Sequence, residues 1–240
     1  MRYSNAKRSL AGISLVLSLT AIVGCSHNVM TTANNSQSDL ITQTQPKTQA
    51  VTMDQLSQAQ IKDLQYLCEE EKLARDVYAV LFDKWQIQAF SNIGSTENRH
   101  IISVQDLAKK YGVPLNDALA AGKFNNAELQ QAYNDLTAKG LQSPEAALKV
   151  GAYIEELDIN DINKMTNEAL PTDIRQTFDW LNMGSRNHLR GFVRSMQNQS
   201  MTYQPQLLTQ AEYEAIINSP QERGGQGQGG GHGQGQRHVY

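Results

Sequence analysis

The sequence predicts an all-α protein, a four-helix bundle with a helical crossover between the second and third long helices. Three observations lead there. Apolar residues recur at alternating steps of three and four over four long segments, the period of a helix with one buried face. Strand-type alternation is almost absent, and no repeat of fixed period is visible. One longer connection separates the second segment from the third, as in bundles with a crossover. With 240 residues and 40% hydrophobic content, the chain can bury one substantial core.

The N-terminal segment reads as a targeting sequence. Arg2, Lys7 and Arg8 precede an apolar run from Leu10 to Val23, too short for an ordinary membrane span, and the run ends in Ile22-Val23-Gly24-Cys25. Charge, apolar run, small residue and Cys in that order look like a lipoprotein signal. Residues 1–24 are then removed and Cys25 carries the lipid, anchoring the chain to a membrane without spanning it. Ser26 after the Cys suggests a cell-envelope lipoprotein, on the periplasmic face of the outer membrane in a Gram-negative host. Loss of Arg2, Lys7 and Arg8 takes the formal charge from −3 to −6, which argues against nucleic acid as a partner. With Cys25 modified, Cys68 is the remaining thiol, no internal disulfide can form, and Cys68 reads as a small core residue. Residues 25–50, rich in Ser, Thr, Asn and Gln, read as a flexible tether, and the Gly- and Gln-rich residues 220–240 as a solvated tail.

Residues 51–219 form the predicted helical domain. Helix patterns run from Ser57 to about Trp85 and from Ser91 to Tyr111, followed by a loop and short helix between Gly112 and Gly140. Ser143-Pro144-Glu145 supplies an N-cap, a Pro at the first helical position and a first-turn acid for a third long helix to about Asn167. The fourth starts at Pro171-Thr172-Asp173 and runs to about Gln199, with a local loosening expected at Gly184. A last short helix, Thr209 to Asn218, opens with the capping-box pair Thr209 and Glu212.

The inward seams of these helices carry polar residues where a plain bundle has aliphatics. Leu64, Leu67, Glu71, Ala74, Tyr78, Leu81 and Trp85 share a face of the first helix, and Ile93, Glu97, His100, Val104, Leu107 and Tyr111 a face of the second. The third helix offers two seams, one apolar through Ala147, Val150, Ile154 and Leu157, the other through Leu148, Gly151, Glu155, Asp158 and Ile162. In the fourth, Ile174, Phe178, Leu181, Ser185, His188 and Phe192 line up. Unpaired carboxylates in a core are costly, and several in one core repel one another, so such a set persists if cations bind it. Glu97 and His100, three apart, point at the same volume. Asp76, Arg75 and Arg99 read as ion pairs outside this set.

At these residues the chain resembles the ferritin-like superfamily. More closely, "EEEKLARDVY", "STENRH", "VGAYIEELDINDI" and "GSRNHLRGF" resemble the prokaryotic family known as domain of unknown function 2202, over roughly residues 53–219. The resemblance implies Glu71 as the first-helix metal ligand, Glu97 with His100 as the second-helix pair, Glu155 on the third helix with Glu156 as the alternative, and His188 on the fourth. Tyr78, seven residues after Glu71, matches a tyrosine often beside such sites and is the candidate electron donor. Where the fourth helix usually has Glu-x-x-His, this chain has Ser185-x-x-His188, which removes one carboxylate and makes Asp158 a further candidate ligand. The implied cofactor is iron, two ions, with manganese as the alternative. The implied activity is oxidation of Fe(II) with oxygen or peroxide by a membrane-tethered oxidoreductase; the alternative is a metal-storage or interaction lipoprotein without turnover. A ferritin-type shell is not expected, given the tethered N-terminus and the long crossover. Hydrolysis by an activated Ser or Cys and nucleotide binding have no supporting motif.

Overall fold

The computed structural model describes residues 56–116 and 119–223, so the expected signal, the lipidated Cys25, the tether and nearly all of the tail lie outside the described residues. Six helices and no strand are found among the described residues: α1 (Gln58–Trp85), α2 (Gln88–Tyr111), α3 (Ala127–Gly140), α4 (Pro144–Met165), α5 (Thr172–Gln197) and α6 (Gln210–Ile217). Among them no helix is long and apolar enough to cross a membrane.

Local chemistry fixes most boundaries. Ser57 and Gln60 form a reciprocal capping box at the start of α1, and Thr209 with Glu212 forms another at α6. Ser143 caps α4, with Pro144 opening the helix. Asn126 caps α3, and Gly112 ends α2 at φ 69°. The α1–α2 connection differs from expectation: α2 begins at Gln88 instead of Ser91. Gln86 turns the chain in the left-handed region at φ 52° without a glycine, and Ile87 stands at the cap position with no side-chain hydrogen bond. Gly184 does not loosen α5, which is continuous through it.

The four long helices close a ring of contacts, α1 with α2, α2 with α5, α5 with α4 and α4 with α1, while α3 lies against α1 and α4. The α3 end approaches α1 closely enough that Trp85 Nε1 donates to the Gly140 carbonyl at 2.9 Å, and a Cβ at Gly140 would lie 2.6 Å from Leu81. Glu69 accepts from the backbone N–H groups of Asn125 and Asn126. The buried Lys72–Asp76 pair holds the loop before α3 through the Ala120 and Lys123 carbonyls and the Gly122 N–H.

The core is split into two apolar blocks. One contains Leu73, Val77, Tyr78 and Leu81 of α1 with Phe90 and Ile93 of α2, Ile154 of α4, and Phe192 and Met196 of α5. The other contains Leu64, Leu67 and Cys68 of α1 with Val104 and Leu107 of α2, Ile162 of α4, and Phe178 and Leu181 of α5. The first half of α1 thus packs with the second halves of α2 and α4 and the first half of α5, so α1 and α5 run one way and α2 and α4 the other. Glu71, Glu97, His100, Glu155 and His188 fall between the blocks on their helices, all buried.

Candidate metal centre

On α1, Glu71 follows a fully buried Leu64–Leu67 step and precedes Ala74 and Tyr78, so the helix period itself turns the carboxylate inward. The same logic places Glu97 and His100 on α2 between Ile93 and Val104, and His188 on α5 between Leu181 and Phe192. On α4 both expected seams are buried, except for half-buried Leu157, because this helix touches α1, α3 and α5.

Two groups of three side chains converge: Glu71, Glu97 and His100, and Glu97, Glu155 and His188. Within each group the potential ligand atoms lie within 4.8 Å of one another. Glu97 belongs to both, and its two oxygens divide between them. Oε2 lies 2.8 Å from His100 Nδ1, and Oε1 lies 2.9 Å from His188 Nδ1. Glu71 Oε2 approaches His100 Nδ1 at 3.1 Å, and Glu155 Oε2 approaches His188 Nδ1 at 3.3 Å. The two imidazoles stack with centroids 5.4 Å apart.

Proximity without alignment marks the cluster. Both oxygens of Glu97, Glu71 Oε1, Glu155 Oε2 and His188 Nδ1 have no hydrogen-bond partner although all are buried. Such groups are rare in stable interiors, since each unpaired polar atom costs about 1–3 kcal/mol and more when charged. A divalent cation at each group would satisfy these atoms together, and carboxylate with imidazole is a donor set suited to iron, manganese or zinc. The residues therefore fit a metal.

Electrostatics agrees. Burial raises Glu71 to about 7, against the opposing pull of His100. Burial alone would lower His100, but the Glu71 and Glu97 carboxylates lift it to about 10. His188 likewise rises well above its ordinary value because Glu97 and Glu155 outweigh burial. Burial pushes Glu97 up, yet the charges on His188 and His100 hold it far below the usual carboxylate range. Without a cation, the cluster draws its positive charge from protons on the imidazoles.

Neighbouring residues pack around the cluster. Tyr78 donates to Glu155 Oε1 at 2.5 Å and packs against Phe90 and Phe192. Gly184 leaves room for the His100 ring, since a Cβ there would lie 2.6 Å from its Cε1 and Nε2. The edge of that ring meets Trp180.

The family model described as "Uncharacterized protein domain (DUF2202)" matches residues 60–220. The chain belongs to the DUF2202 family. It is 44% identical over 172 residues, 70% of this chain and 92% of the relative, to uncharacterized protein MJ0754 of Methanocaldococcus jannaschii. The crystal structure of hypothetical protein MJ0754 from Methanococcus jannaschii DSM 2661 resembles it with a TM-score of 0.68 at 42% identity, over 70% of this chain and 96% of that one.

Within this DUF2202 domain, Glu71, Glu97, His100, Glu155 and His188 come together, and Asp158 stands outside both groups. Asp158 is nonetheless fully buried with both oxygens unpartnered, and burial together with Glu71, Glu70, Glu155 and Glu97 raises its pKa well above the usual range. Ser185 turns its hydroxyl to the Leu181 carbonyl of its own helix at 3.2 Å. Glu156 serves elsewhere, its Oε2 accepting from the backbone N–H groups of Gln206, Leu207 and Leu208 at 2.7 to 3.0 Å. The sequence reading missed Glu70, buried with both oxygens unpartnered. Its only signal was its place beside Glu71 in an acidic run.

Proposed function

We propose that the protein is a ferritin-like four-helix metal protein with a two-ion centre, working as a di-iron or iron–manganese oxidoreductase that oxidises Fe(II) with oxygen or peroxide. The observation that carries this reading is the division of the two Glu97 oxygens between two convergent Glu/His groups. A carboxylate so placed can hold one ion with each oxygen, with Glu71 and His100 completing one position and Glu155 and His188 the other. Iron bound there would supply the electrons that reduce the oxidant.

The chain's own residues do the rest. The two apolar blocks above and below keep water from the acids, which strengthens every interaction between charges at the centre. The Tyr78 phenol, kept protonated by burial and by Glu155, has a proton acceptor at hand in Glu155 Oε1. Tyr78 is therefore the residue placed to release an electron and a proton together. The N-terminal sequence supports a further part of the proposal, that Cys25 carries lipid and holds the domain at the cell-envelope membrane. Detergent partitioning lost on Cys25→Ala would support the anchor, and partitioning unchanged by that substitution would refute it.

Mixing metal-loaded protein with Fe(II) and oxygen tests the activity. Oxidation faster than in buffer and abolished by Glu97→Gln is expected. A protein that retains metal but oxidises Fe(II) no faster than buffer would instead be a storage or delivery protein built on the same centre.

A further inference from the structure

Beyond the centre itself, α1 and α4 carry three more acids, Glu70, Asp158 and Asp161, of which the first two are fully buried. Glu155, Asp158 and Asp161 follow one another at three-residue steps on α4. Each step advances about 4.5 Å and turns back about 60°, so the row winds from the core toward the flank of the helix. Asp161, 16% exposed, lines a surface pocket of about 270 Å³ together with Ala59, Asp63, Lys164, Met165 and Glu168. From α1, Glu70 is fully buried and follows the pocket residue Asp63 by seven residues, two helical turns, so it lies on the same side of the helix as that pocket.

The two buried acids lack what a structural acid has. Neither oxygen of Glu70 and neither oxygen of Asp158 has a hydrogen-bond partner. Glu156, on the same helix and equally buried, is held by three backbone donors. Burying two carboxyls without partners destabilises the fold. No three of these side chains bring ligand atoms as close as those of the centre do. They suit an ion in passage, since conduction needs sites that attract a cation but hold it incompletely. Asp161 Oδ1 accepts from Lys164 Nζ at 2.6 Å and from Asn160 Nδ2 at 2.9 Å, and Lys164, 66% exposed, sets a positive charge at the mouth.

We propose that Asp161, Glu70 and Asp158 form an acidic passage through which divalent cations reach the buried Glu/His centre from the α1–α4 surface pocket. The passage rests on the reading of that centre as a metal site. The test is the rate of Co(II) uptake by the full chain, followed by Co(II) visible absorption after rapid mixing, with final occupancy from elemental analysis. Asp161→Asn and Glu70→Gln should each slow uptake by about tenfold or more, the scale of electrostatic focusing in charged clefts, while final occupancy stays that of the parent. Lys164→Ala should speed it, and Asp135→Asn, an exposed acid on α3, should leave it unchanged. Parental rates in both acid variants would overturn the passage and leave the metal centre standing. A folded Glu70→Gln with reduced final occupancy would make Glu70 a ligand and also overturn it. No Co(II) uptake by the parent chain would remove the centre and the passage together. If Glu70→Gln does not fold, Asp161→Asn and the mouth pair Asp63→Asn with Glu168→Gln carry the same test.

Discussion

Replacing Gly184 with Ala isolates the link between backbone packing and the candidate metal centre. The new Cβ would lie 2.6 Å from His100 Cε1 and Nε2, whereas ordinary carbon contact begins near about 3.5 Å, so the ring must retreat by about 1 Å. It has little room. Trp180 meets its edge at a 5.0 Å centroid distance and His188 stacks on it at 5.4 Å. Overpacking of this kind costs about 1–3 kcal/mol, only partly offset by the roughly 1 kcal/mol that Ala gains over Gly inside a helix. The larger effect falls on binding. His100 Nδ1 sits 2.8 and 3.1 Å from Glu97 and Glu71, and displacing the ring moves that nitrogen out of line. Loss of ligand support typically weakens metal affinity about 10- to 100-fold. Gly191→Ala on the same helix is the control, because its Cβ would meet Ile93 Cδ1 at an ordinary 3.5 Å and should gain about 0.5–1 kcal/mol. Urea unfolding of the metal-free proteins and calorimetric titration with Mn(II) or Co(II) separate the two effects. Parental affinity in a stably folded Gly184→Ala would refute the reasoning.

Other outcomes follow from the same geometry. Tyr78→Phe leaves Glu155 Oε1 without its donor and should cost the metal-free protein about 1–3 kcal/mol in urea unfolding. Glu156→Ala orphans the N–H groups of Gln206, Leu207 and Leu208; at about 1.5–3 kcal/mol for a bond to a charged group, a loss of about 3 kcal/mol or more is expected, with amide exchange at those residues rising first. Because His100 is raised to about 10 and His188 is also raised, both imidazoles hold protons at neutral pH in the metal-free protein, and a metal bound there would displace them. Affinity should then rise about tenfold per pH unit for each proton released, and calorimetry in buffers of differing ionisation heat should show that release. In the metal-free protein the raised Glu71 and His100 contribute stability that is fully present below their ordinary values and lost as pH rises through about 7 and about 10. Its melting temperature should therefore fall between pH 6 and 10, and metal should flatten that fall.

The helices and the inward placement of most candidate ligands were legible because each rests on a local rule. Ser57, Ser143 and Thr209 announce their helices through side-chain caps, and Glu71, Glu97 and His188 interrupt apolar periods that place them inside. Where no such rule operates, the reading slipped. The start of α2 has no side-chain cap, and a glutamine turns the chain at Gln86, so Ser91 drew the boundary inward. On α4 a single seam could not be chosen because neighbours on several sides bury both. The burial of Glu70, Lys72 and Asp76 depends on the crossover and α4 covering the second side of α1, a tertiary fact absent from the helical period. Gly184 reads as a weak point in a helix until His100 is found against it.

Metal content across single-ligand variants tests the shared role of Glu97 most directly. After loading with Mn(II) or Fe(II) without oxygen and removal of free metal, the parent chain should retain two ions, one for each convergent group. Glu71→Gln and Glu155→Gln should each lose the ion of their own group, and Glu97→Gln should lose both. A Glu97→Gln chain that keeps its full complement, or a parent chain that retains no metal, would contradict the account.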